Sequence, residues 1–188
     1  MTVKPERRPP PRITASYLEN ASLHYLERFS SSRANLRRVL MRKVDRSLAH
    51  HGGEASEAAQ LVDAVIAKLA RLGYLDDLAY AETKTRSLHR RGGSLRVIRA
   101  TLAAKGVETE AAEAALHGLA EASSEPDLAA AIALARRRRL GPFRVTGQGA
   151  DFRTKDLAAL GRAGFAWDIC RRVIEAESIE ALEQELSR

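Results

Sequence analysis

An all-α fold is predicted for this 188-residue sequence by three observations. Its six prolines stand at only four places, and the long stretches between them are rich in Ala, Leu, Arg and Glu, which favour helices. Apolar residues recur at helical spacing, whereas Val, Ile and Thr never alternate with polar residues over the length of a strand. Related segments also recur along the chain. We therefore expect three tandem three-helix modules in an elongated, curved, solenoid-like array.

The first module is predicted over residues 14–73, behind a flexible basic leader over residues 1–13. Thr14 or Ser16 can cap its first helix, and Gly73 stands where the third helix should end. The apolar stripes of its three helices are, in chain order, Leu18, Ala21, Tyr25 and Phe29; Leu36, Leu40 and Val44; and Leu61, Val62, Val65, Ile66, Leu69 and Leu72.

The second and third modules are predicted over residues 74–122 and 126–176, and residues 177–188 would form a C-terminal tail or a short helix. Asp76 and Ser94 are the expected N-caps of the fourth and fifth helices. The stripes expected to be buried are Leu95, Ile98 and Leu102; Leu128, Ile132 and Ala135; Leu157 and Leu160; and Trp167, Cys170 and Ile174.

The division into modules is based on internal similarity. Residues 36–43 resemble residues 98–105, and residues 102–107 resemble residues 160–165. A module of about 50 residues buries too little surface to be very stable alone, so neighbouring modules should pack on each other. Amphipathic helices can also look alike by chance, which is the alternative explanation.

Charge is separated into blocks, within a formal net charge of +7. Residues 84–105 contain Lys and Arg but no acidic residue, residues 33–46 have only Asp45 against their basic side chains, and residues 107–127 have acidic but no Lys or Arg side chains. Equivalent helices of a repeat array line one face, so the pattern predicts one basic and one acidic face. The alternative is that each block is an ordinary solvated helix surface with local ion pairs.

The residues that usually hold metals or cofactors are scattered. The single cysteine, Cys170, excludes an internal disulfide or a cysteine-based zinc site, and it is expected in the core. Helix capping explains Asp76 and Asp77, and Trp167 is expected to anchor the core of the last module. No histidine has metal-ligand spacing to an acidic residue or to the cysteine; the five are His24, His50, His51, His89 and His117. We expect no metal and no cofactor.

Motifs for catalysis or nucleotide binding are also missing. The glycines of residues 147–149 have no flanking strand, so they do not form a phosphate-binding loop, and no nucleophile motif occurs. We expect no enzyme and no small-molecule substrate. No apolar run approaches the roughly 20 residues of a membrane span, and no signal peptide is evident, so we expect a cytoplasmic protein without a membrane partner.

Two helices are joined by a short basic turn over residues 90–96, Arg-Arg-Gly-Gly-Ser-Leu-Arg. Such a turn is compatible with a helix-turn-helix. This leaves a sequence-specific DNA-binding transcription factor as an alternative function.

The central segment, residues 73–81, reads Gly-Tyr-Leu-Asp-Asp-Leu-Ala-Tyr-Ala, and Leu-x-x-Lys-Gly-Val follows at residues 102–107. At these residues the sequence resembles the RecX family, the bacterial modulators of the recombinase RecA. The similarity extends, more weakly, to residues 156–160, 163–165, 169–174 and 33–38. The resemblance implies tandem three-helix units. It also implies a protein that binds RecA filaments on DNA, lies in their helical groove and restrains ATP hydrolysis and strand exchange.

Together these observations predict a monomeric regulator of RecA in recombination and DNA repair, most simply an inhibitor. Its partners would be the RecA nucleoprotein filament and the DNA phosphate backbone. The face predicted to contact both is made of Arg37, Arg38, Arg42, Lys84, Arg86, Arg90, Arg91, Arg96, Arg99, Arg136, Arg137, Arg138 and Arg139.

Overall fold

The structure is a computed structural model, and it describes residues 9–144 and 150–186. Over these residues it contains helices and no strand, which confirms the all-α prediction. A 3₁₀ turn occupies Gly141–Phe143. The α-helices are α1 Ala15–Leu26, α2 Arg33–His51, α3 Ala55–Arg71, α4 Asp77–Arg90, α5 Leu95–Ala104, α6 Thr109–Ala122, α7 Pro126–Arg138, α8 Ala150–Arg162, α9 Trp167–Ile174 and α10 Ile179–Leu186. Contacts group the chain into two compact units, a first unit up to Tyr80 and a second unit from Ala81 onward.

Helices α1 to α3 build the core of the first unit. The residues of this core are Leu18, Leu36, Leu40, Val44, Ala58, Val62, Val65, Leu69 and Leu75. Three side chains cap the starts of helices. Thr14 caps α1 by accepting from the Tyr17 N–H at 3.1 Å, and Ser32 caps α2. Asp76 caps α4, as predicted, by accepting from the Ala79 N–H at 3.0 Å.

Four details of the first unit differ from the sequence prediction. Phe29 is 55% exposed because α1 ends before it, so it is not part of the apolar face. Leu61 and Leu72 are exposed because only the centre of the α3 stripe contacts the core, and Leu72 already lies beyond the last helical residue. Asp77 is the first residue of α4, and its carboxylate binds a different helix: it accepts from the N–H of Arg33, the first residue of α2, at 2.9 Å.

The second unit has one large apolar core, to which α7, α8, α9 and α10 contribute. Its members are Leu128, Ala130, Ala131, Ile132, Leu134, Ala135, Leu140, Phe143, Leu157, Leu160, Phe165, Cys170, Val173, Ile174 and Leu182. Cys170 is fully buried, as predicted, and burial raises the pKa of its thiol. The C-terminal segment is a helix whose Leu182 is 1% exposed.

Trp167 is the clearest error of the sequence prediction in this unit. It is 62% exposed and does not anchor the core. Trp167 is the first residue of α9, and side chains in a helix project toward its N-terminus. The ring therefore points beyond the helix end, and the buried stripe of α9 begins one turn later, at Cys170. No helix among the described residues is long and apolar enough to cross a bilayer.

Candidate nucleic-acid interface

The α4–α5 turn is shaped by two glycines and a cap. Gly92 adopts a φ of +78°, which favours glycine, and its N–H donates to the His89 carbonyl at 2.8 Å. The Gly93 N–H donates to the Leu88 carbonyl at 3.0 Å, which closes the end of α4. Ser94 then caps α5 by accepting from the Val97 N–H at 3.3 Å. The chain thus reverses within a few residues, with arginines on both sides of the turn.

The inner side of this turn is fixed by α7 and by the turn between α8 and α9. The Leu95 N–H donates to the Asp127 carboxylate on α7 at 2.8 Å, and the Ser94 hydroxyl donates to the Ala163 carbonyl at 2.9 Å. His89 Nε2 lies 2.7 Å from the Pro126 carbonyl oxygen. A Cβ atom on Gly92 would lie only 2.6 Å from the Leu134 backbone nitrogen. The turn is therefore held as a rigid part of the second unit.

The outer side of the turn carries exposed cations. Arg90, Arg91 and Arg96 are exposed, and none of them forms an ion pair with another described residue. Lys84 is half-buried on α4. We call Arg90, Arg91 and Arg96 the basic turn.

Arg99 and Arg86 differ from the basic turn because each has a carboxylate partner. Arg99 pairs with Glu113 of α6 at 2.6 Å, and Arg86 lies 3.6 Å from Glu82 one helical turn earlier. Hydrogen bonding within the Arg99 pair raises the pKa of Arg99 and lowers the pKa of Glu113. Residues 84–105 contain no acidic residue, but both arginines find an acidic partner outside this block, because Glu82 lies just ahead of it and α6 packs on α5.

The arginine run 136–139 ends α7 in the same unit. Arg136 pairs with Glu183 of α10 at 2.6 Å, and its guanidinium lies 5.2 Å from the centre of the Phe143 ring. Arg137, Arg138 and Arg139 are exposed and form no ion pair within the described part of the chain. The run begins two residues after Leu134, against which Gly92 packs, so one helix supports both basic clusters.

The remaining predicted residues lie on α2 in the first unit. Arg37 pairs with Asp63 of α3 at 2.6 Å, and this hydrogen bond lowers the pKa of Asp63. Arg38 and Arg42 are exposed. The structure therefore distributes the predicted residues over two units. The basic turn is exposed, stands on a fixed backbone and has no acidic partner among the described residues.

Two residues that matter for the site were missed by sequence reasoning. Asp127 positions the turn from 32 residues further along the chain, and no local pattern marks such a contact. Arg172 joins α9 to Glu125 and to Glu185 of α10, with two contacts of 2.9 Å, and these hydrogen bonds raise its pKa. Both hold together the helices behind the basic turn.

The arrangement can bind anions. A guanidinium donates to phosphate or carboxylate oxygens in a bidentate geometry, and an arginine without an acidic partner is available to bind such an anion.

The site is less suitable as a DNA-reading helix-turn-helix. The first N–H group of α5 is already bound to Asp127 of the same chain. Among the residues described, no group of His, Cys, Asp or Glu could hold a metal ion.

The fold and the site define a class: an all-helical protein whose central turn carries exposed cations on a fixed backbone. The family model for "RecX, second three-helix domain" matches residues 76–116. "Regulatory protein RecX" of Myxococcus xanthus is 47% identical over 176 residues, which cover 92% of this chain and 93% of the relative. The chain belongs to the RecX family, as its central motif predicted.

Other known proteins agree with this assignment. "Regulatory protein RecX" of Agrobacterium fabrum is 31% identical over 166 residues, or 88% of this chain and 86% of the relative. The crystal structure of RecX from Lactobacillus salivarius has the same fold, with a TM-score of 0.59 at 24% identity, covering 92% of this chain and 96% of that one. A second crystal structure of regulatory protein RecX gives a TM-score of 0.61 at 20% identity, over 86% and 72% of the two chains.

Proposed function

We propose that this protein regulates RecA in homologous recombination and DNA repair, as an inhibitor. It binds the RecA–DNA filament across several subunits and restrains ATP hydrolysis and strand exchange. It acts as a cytoplasmic monomer and does no chemistry itself. Support comes from the relatives, which are named regulatory proteins RecX and match this chain along most of its length.

The observation that carries the proposal is the basic turn. Arg90, Arg91 and Arg96 are exposed and lack a carboxylate partner among the described residues, although many other arginines of the chain have one. An arginine that is already paired must give up its partner before it can bind a new anion, whereas these three need not. Their backbone is also fixed, so binding requires little further ordering of the main chain. Filament carboxylates and DNA phosphates are both suitable anions.

The test measures DNA-dependent ATP hydrolysis by the cognate RecA while the protein is titrated in. The informative variant is R90E/R91E/R96E, which reverses the charge of the basic turn. A matched control is R28E/R46E/R71E, which makes the same change in net charge at three exposed arginines of the first unit outside the predicted face. Circular dichroism checks that both variants keep the parent's helix content.

We expect the parent and the control to inhibit ATP hydrolysis at similar concentrations, and the basic-turn variant to require a much higher concentration. Its binding to DNA should also depend less on salt, since fewer phosphate contacts release fewer counterions. Absence of any effect of the parent on RecA would reject the proposed function. Equal inhibition by parent and basic-turn variant would instead move the contact surface elsewhere, with Arg137, Arg138 and Arg139 tested next.

A further inference from the structure

Trp167 has the features of a binding residue rather than a core residue. It is the single tryptophan of the chain, and it is 62% exposed at the start of α9. A large aromatic side chain left in water gains by stacking on a flat partner. The core of the second unit does not use this ring, since the buried stripe of α9 is Cys170, Val173 and Ile174.

The turn that precedes Trp167 carries cations. The α8–α9 turn that leads to Trp167 passes so close to α5 that a Cβ atom on Gly164 would lie 3.1 Å from Arg96 Nε and 3.1 Å from a methyl of Val97. Arg162 is the last residue of α8 and is exposed. Neither Arg96 nor Arg162 forms an ion pair with a described residue. The exposed carboxylate nearest to Trp167 in sequence is that of Asp168. Two guanidinium groups, those of Arg96 and Arg162, are therefore set against one carboxylate.

We infer that Trp167 stacks on a base of single-stranded DNA while Arg96 and Arg162 bind the adjoining phosphates. This inference rests on the proposed function, because it specifies how the chain contacts the DNA of the filament. Aromatic rings beside cations are the usual way in which proteins bind single strands, since every base offers a flat face and every nucleotide a phosphate. Bases in a duplex are already stacked on both faces, so the site prefers single strands. Val97, which is 38% exposed, lies against the same turn at Gly164 and offers an apolar surface next to it.

The test uses the fluorescence of Trp167, which reports on this one position because the chain has no other tryptophan. The full-length protein is titrated with an oligothymidylate of about 16 nucleotides, and with a duplex of the same length. Tryptophan emission and the anisotropy of a label on the DNA are recorded together. We expect emission to fall with the same midpoint as the rise in anisotropy for the single strand, and to stay nearly constant with the duplex.

Variants separate stacking from charge. W167L should weaken binding of the single strand at least about fivefold and W167F much less, because phenylalanine keeps an aromatic face. R96Q should raise the midpoint and reduce the salt dependence of binding. The matched control is Y74L, which removes an aromatic residue that is 57% exposed in the first unit and should leave binding unchanged.

Three results would overturn the inference: no binding of the single strand, unchanged emission while anisotropy reports binding, or an emission change that requires RecA but no DNA. The last result would mean that the ring contacts a protein surface. Inhibition of RecA ATP hydrolysis by the same preparation distinguishes the two hypotheses. If inhibition persists while Trp167 emission does not respond to DNA, only the stacking site is wrong; if inhibition is absent, the proposed function fails first.

Discussion

Substitution of Gly92 by alanine should destabilise the second unit by about 2–5 kcal/mol. Two separate effects add up. A residue with a Cβ atom pays about 1–2 kcal/mol to adopt the left-handed φ of +78°. The new Cβ would also lie 2.6 Å from the backbone nitrogen and 2.7 Å from the Cβ of Leu134, so α7 must shift, and overpacking of this kind costs about 1–3 kcal/mol.

Gly73 provides a matched control because its φ is also +78°, but a Cβ atom there meets nothing within 4 Å. Gly73→Ala should therefore cost only the conformational part, about 1–2 kcal/mol. Gly118→Ala is a second control within the second unit: it lies inside α6 in open space, and alanine should stabilise the helix there by about 0.5–1 kcal/mol.

Urea unfolding measures all three variants. Far-UV circular dichroism follows the whole chain, and Trp167 emission follows the second unit, which contains Gly92 and Gly118. The loss for Gly92→Ala should clearly exceed that for Gly73→Ala. Equal losses would show that Gly92 is required only for its φ and that the turn does not press against α7, which would remove one of the contacts that hold the backbone of the basic turn.

The remaining predictions concern packing and shape. Leu102→Ala should cost about 2–5 kcal/mol, because Leu102 is fully buried, whereas Arg99→Ala on the opposite face should leave the melting temperature almost unchanged; equal melting of both would mean that α5 is oriented wrongly. Thr85→Val should raise the free energy of unfolding by about 1 kcal/mol, since the Thr85 hydroxyl is buried without a hydrogen-bond partner among the described residues; lower stability in urea would show that it has one. The tandem repeats predict an elongated monomer, so small-angle scattering should give a radius of gyration clearly above the roughly 16 Å of a compact protein of this length, and a compact profile at low concentration would reject the solenoid.

Features with a local cause could be predicted from the sequence. The caps Asp76 and Ser94 were predicted correctly. Each depends on residues within one or two helical turns, where periodicity and capping preferences act. The burial of Ile98 and Leu102 follows from the same periodicity. The module boundaries within each unit remain predictions, and the glycines of residues 147–149 lie outside the described residues.

What the sequence could not predict depends on how separate helices meet. The pairing of Arg99 with Glu113 is decided by the packing of α5 on α6, and the Leu95–Asp127 contact by the docking of α7 against the turn. The exposure of Trp167 depends on where α9 begins, because a shift of the helix start by one turn would place the same ring on the buried stripe. The apolar pattern of a single helix predicts neither how that helix docks on its neighbours nor at which residue it begins.

The distribution of acidic residues in the second unit explains why stability and binding can be separated. Asp127 binds a backbone N–H group of the turn, Glu113 binds Arg99, and Glu183 binds Arg136. These carboxylates fix helices to each other, and the basic turn has no acidic partner among the described residues. The three arginines of the turn form no ion pair with a described residue, so their reversal to glutamate breaks no salt bridge among the residues that the structure describes. A variant such as R90E/R91E/R96E should lose binding and keep its stability. Gly92→Ala should lose both, since it disturbs the backbone on which those arginines stand.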